Sequence, residues 1–142
     1  MNAKNELKDF VVEYSKQVIM DLAPEEGGFI EPMASLFLES DEVNVDFSKS
    51  AGRLDSFMGI GGVELMTALA IPLVIEVVKV ALPILAEKKK KKTVSQSALS
   101  SVELELNQRT KELSLKIKGK HKKEADEVLR RIHLAILKEL EA

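Results

Sequence analysis

The chain is 142 residues long, enough for about one domain with a real core; apolar residues make up 45% of it and aromatics 4%, with no Trp and Tyr14 as the sole Tyr. This composition excludes global disorder and requires a mainly aliphatic core, while the absence of Cys excludes disulfides, thiolate metal sites and thiol catalysis. The net charge of −2 conceals a division: residues 1–56 carry 5 Lys/Arg against 12 Asp/Glu, whereas residues 87–142 carry 15 Lys/Arg against 9 Asp/Glu. The two halves either attract each other, within one chain or between copies, or form ordinary solvated surfaces.

Residues 4–22 read as an amphipathic helix, because Leu7, Phe10, Val11, Tyr14, Val18 and Leu22 recur at helical spacing with charges between them. The mixed charges leave no apolar core for a secretory signal, and Asn2 in place of a glycine argues against myristoylation. Pro24 and Gly27-Gly28 break the helix. A second short helix is expected from Pro32 to about Ser40, burying Met33, Leu36 and Phe37. Asp41 to Phe47 alternates Val43, Val45 and Phe47 in a strand-like period, and residues 48–56 read as a loop.

Gly59-Ile60-Gly61-Gly62 then opens an apolar run, Leu65–Leu85, in which 12 of 21 positions are Leu, Ile or Val. The glycine pattern lacks a preceding buried strand and the spacing of a dinucleotide fingerprint, so it reads as a flexible entry to a helix. Glu76 and Lys79 are the only charges in the run; three apart, they share a helix face and can pair. Pro72 and Pro83, eleven apart, also share a face, and each removes a backbone donor and bends a helix. The run has the length of a membrane span. Its branched aliphatics gain roughly 5 kcal/mol on insertion, and Glu76 with Lys79 costs about 5 to 6 if central, so a lone copy stands near break-even. The competing expectation is a buried helix, or two helices kinked at the prolines, at the centre of a soluble domain or oligomer. Lys88, Lys89, Lys90, Lys91 and Lys92 follow. They fit an anionic membrane surface or a solvated linker better than a nucleic acid, since no aromatic stacking residue lies near them.

Residues 93–101, rich in Ser and Thr, read as a linker. Val102, Leu104 and Leu106 alternate with Glu103 and Glu105; Leu113, Leu115 and Ile117 alternate with Ser114, Lys116 and Lys118. The two triplets, separated by Asn107 to Glu112, predict a β-hairpin with Leu104 in its core and opposite charges on its outer face. Gly119 ends the second strand, and Lys123 to Leu140 forms a helix with Val128, Leu129, Ile132, Ile136 and Leu140 as its apolar stripe. His121 and His133 have no spaced partners that make a metal site, and no carboxylate pair stands out as general acid and base.

The expected fold is therefore α+β and mainly helical. Residues 1–56 form an acidic helical region, 57–92 an apolar helical segment with a Lys-rich end, and 93–142 a linker and ββα unit too small to be stable alone.

Ala23-Pro24-Glu25-Glu26, Met33 to Asp41 and Gly59 to Leu85, followed by the basic linker and the expected hairpin-plus-helix from Val102 to Leu140, resemble in element order and hydrophobic pattern small bacterial proteins found beside effectors and proteases of multi-component conflict systems. The resemblance implies an effector-associated component with no catalytic residues. The residues and the resemblance together give the expectation of a cytoplasmic, non-catalytic adaptor without a cofactor. It would oligomerise or bind a protein partner through the apolar segment, at the inner face of the membrane if Lys88–Lys92 contact lipid. The alternative is a membrane-disrupting effector that inserts Leu65–Leu85.

Overall fold

The computed structural model describes residues 3–39, 66–91, 93–117, 119 and 121–141, and among these it contains five α-helices, a 3₁₀ helix and no strand. Helix α1 spans Ala3–Leu22, the 3₁₀ helix Pro24–Phe29, α2 Ile30–Glu39, α3 Met66–Lys91, α4 Gln96–Lys116 and α5 Lys122–Glu141. The expected strand at Asp41–Phe47, the loop at 48–56 and the Gly59–Gly62 entry lie outside the described residues.

The helical spacing in α1 places Phe10, Val11, Tyr14, Val18 and Ile19 in the core. Pro24 opens the 3₁₀ helix, where its missing N–H costs nothing. Helix α2 starts two residues before Pro32, which falls in its first turn; Met33 and Phe37 are buried as expected, but Leu36 is exposed and Ala34 takes the buried position. Helix α3 is one helix through both prolines. Pro72 is buried and Pro83 exposed, so their common azimuth does not give them a common environment.

The C-terminal β-hairpin is corrected by α4, which runs unbroken across both alternating triplets. In a helix, residues i and i+4 lie on one side and i+2 on the other. Val102 and Leu106, and Leu113 and Ile117, are accordingly buried, while the middle residues Leu104 and Leu115 are 71% and 70% exposed. Leu, Glu, Lys and Gln dominate the segment, and all favour helix; the alternation came from two outward leucines, not from a pleated face. The Ser-rich stretch expected as a linker is largely the start of α4: Ser95 is its N-cap, its hydroxyl accepting from Ala98 N at 3.2 Å. Between α4 and α5 the backbone extends at Ile117 and then turns through Gly119 at φ 94°, a left-handed conformation that suits glycine.

Helix α3 lies at the centre and touches α1, α2, α4, α5 and the 3₁₀ helix. The short connections make α4 antiparallel to α3 and α5 antiparallel to α4. The C-terminal ends of α3 and α5 therefore meet, and Lys88 Nζ donates to the carbonyls of Glu139 and Leu140 at 2.5 and 3.0 Å. Helix α1 runs antiparallel to α3, since Phe10 lies beside Lys89 while Glu26, just beyond α1, reaches Met66. The apolar faces of all five helices join in one core.

Candidate functional site

The membrane-competent segment is the buried frame of the molecule. Among the described residues α3 alone is long and apolar enough to cross a membrane, and 67% of its most apolar 18-residue stretch is buried. Neighbouring elements fasten it at three levels. At its start, the Glu26 carboxylate accepts from Met66 N at 3.0 Å, Thr67 N at 2.8 Å and Thr67 Oγ1 at 2.8 Å. This satisfies amides that a helix start leaves unpaired and sets a negative charge at the positive end of the helix dipole. Sequence reasoning missed this contact because Glu26 and Thr67 are 41 residues apart and no local pattern joins them.

At mid-helix the buried Glu76 accepts from Arg109 Nη2 of α4 at 2.5 Å. The sequence offered Lys79 as the partner; the observed bond is interhelical. Arg109 also donates to Glu112 at 3.2 Å, and the two carboxylates hold its guanidinium above the ordinary arginine range despite its partial burial. Lys79 is half-buried on the same helix. The third level is the Lys88 cap on α5.

The lysine run is thus partly committed to the fold. Lys88 caps α5, Lys89 Nζ sits 5.7 Å from the Phe10 ring centroid in a cation–π contact, and Lys91 lies 3.7 Å from Glu87. Lys90 and Lys91 are exposed, and Lys92 lies outside the described residues.

A groove of about 710 Å³ lies between α4 and α5 and is lined by Asn107, Thr110, Lys111, Ser114, Asp126 and His133 among others. Its floor is built: Ser114 Oγ donates to Asp126 at 2.6 Å, and Lys122 Nζ reaches Ser114 and lies 3.5 Å from Asp126. His133 Nε2 is buried with no hydrogen-bond partner among the described residues. Burial lowers its pKa below the ordinary histidine value, against a smaller upward pull from Glu103. Burial likewise pushes the Tyr14 phenol far above its ordinary range, with Glu139 and Glu13 adding to the shift. Among the described residues no group of His, Asp and Glu is placed to hold a metal ion.

Among the described residues the most exposed large apolar side chains, Leu104 and Leu115, lie on the outer face of α4. Leu104, Gln108, Lys111 and Leu115 form one row along it, by their spacing of four, three and four residues. Both leucines point away from the core, which is the other side of the alternation that imitated a strand. Comparison of the chain with protein-family models, with curated proteins and with solved structures gave no match.

Proposed function

We propose that the protein is a non-catalytic adaptor or regulatory component that works by binding protein on the outer surface of its helical bundle. The single observation that carries this reading is the pair of leucines on α4, 71% and 70% exposed and aligned on one face. Scattered exposed leucines are ordinary, but two in one helical row give a binding helix its anchors. The apolar segment does not serve as the contact in this reading: α3 is the frame, and α4 is presented by it.

The test is a photo-crosslinking residue at Gln108, between the two leucines, with a second at the exposed Lys8 of α1 as control. In the source cells, position 108 should give discrete protein adducts that position 8 does not. Equal labelling at the two positions would remove the α4 face from consideration.

One observation favours a second reading, a membrane-inserting effector: α3 has the length and apolarity to span a bilayer. In that reading α3 must first leave Glu26, Arg109 and the C-terminal end of α5.

A further inference from the structure

We infer that the occupant of the outer face of α4 is a second copy of this chain, packed α4 against α4 in antiparallel fashion about a two-fold axis that passes between Gln108 and Lys111 of each copy. The inference rests on the reading of that face as a docking surface and names the partner. A two-fold contact must be self-complementary: if residue i meets residue j of the partner, then j meets i. The row Leu104, Gln108, Lys111, Leu115 has this property, because its spacing of four, three and four reads the same in both directions. Antiparallel alignment sets Leu104 against the partner's Leu115 at each end. In the middle it sets Gln108 against the partner's Lys111, so the amide oxygen accepts from the row's only charge. Parallel alignment would instead oppose Lys111 to the partner's Lys111, a like-charge contact.

The neighbours of the row suit close approach. Ser97, Ser100 and Ser101 on the same side are small and uncharged. The acids Glu105 and Glu112 lie at the rim, and Glu112 is already bonded by Arg109 at 3.2 Å and Gln108 at 3.4 Å. One helix face per copy is a small contact, so the dimer belongs to the weak, reversible class of interfaces.

The test uses the full chain. Sedimentation equilibrium should show a monomer–dimer equilibrium that shifts to dimer in the high micromolar range. Leu104→Lys with Leu115→Lys should weaken it at least tenfold and leave helix content and melting temperature unchanged, since both side chains are exposed. Because the chain has no Cys, engineered cysteines read the register. A mixture of Leu104→Cys and Leu115→Cys copies should oxidise to a cross-linked dimer. Either variant alone should not, because its two thiols would lie about 16 Å apart along the axis, beyond the reach of a disulfide. Self-crosslinking of Leu104→Cys alone overturns the antiparallel alignment, and an undiminished dimer in the double Lys variant overturns the face. A wild type that is monomeric at every concentration overturns the second copy as partner. In that case crosslinking at Gln108 to a different protein would keep the docking face, and its absence would remove both.

Discussion

The Nε2 of His133 is buried and has no hydrogen-bond partner among the described residues, so burial favours the neutral form in the folded chain and its pKa lies below the ordinary value of 6.5. Between the folded and unfolded values the unfolded chain binds more protons. The stability that the neutral imidazole contributes is therefore fully present above about pH 6.5 and is lost as pH falls through the window beneath it. Melting temperature measured from pH 7.5 down to 5 should decline more steeply for the wild type than for His133→Gln, whose side chain does not titrate. Superimposable profiles would show that solvent reaches the ring freely. Only one proton is involved, and Glu103 pulls against the shift, so the difference is modest. Leu104 and Leu115 act at the same scale but leave the folded state untouched, because neither packs against the core.

Helix α3 is joined to α4 by apolar packing and by the ion pair of Glu76 with Arg109. A buried pair adds little over apolar groups of the same shape, yet removing one partner strands a charge. Arg109→Met should therefore cost about 2–3 kcal/mol, less than the roughly 3–5 of a fully buried pair because the arginine retains 27% side-chain exposure. Glu76→Leu combined with Arg109→Met should recover most of that loss, and chemical denaturation of the two single variants and the double variant measures the coupling. Simple additivity of the single losses would mean that water already screens the pair. This interhelical bond was not legible in the sequence, which shows Lys79 three residues away and nothing that points to Arg109 across 33. Single helices with wide apolar stripes were legible: α1 and α5 fall within two residues of their expected bounds, and all five residues of the α5 stripe are buried. The order of α4 was not, because its two outward leucines turn a helical stripe into an alternating one. There the helix-favouring Leu, Glu and Lys were the better guide than the period. The capping role of Glu26 was equally hidden, since hydrogen bonds to a helix start leave no trace in local pattern.

For the whole molecule the decisive quantity is what happens to the rest of the core if α3 leaves it. The helix itself is near break-even on insertion. Its departure, however, uncovers the apolar faces of α1, α2, α4 and α5, where each buried Val, Leu or Ile contributes about 1.5–3 kcal/mol. It also leaves Arg109 without Glu76 and Glu26 without the Met66 and Thr67 amides. These losses weigh against insertion, and dye-loaded vesicles, neutral or anionic, are expected to keep their contents in the presence of the wild type. Replacing Glu76 and Lys79 with Leu sharpens the test. A soluble assembly would be expected to set both charges at the margin of the apolar helix, where their loss would expose apolar surface and promote aggregation. Glu76 is only 7% exposed, so its replacement adds little surface and its main effect is to take from Arg109 its interhelical partner, leaving it Glu112 alone of its two carboxylates. The double Leu variant removes a cost of about 5 kcal/mol to insertion while loosening the hold of α4. It should therefore bind vesicles more than the wild type does, and still not leak. Strong leakage by the wild type, abolished in a variant that continues to bind, would mean that Glu76 and Lys79 line a polar passage, and α3 rather than α4 would then be the working surface.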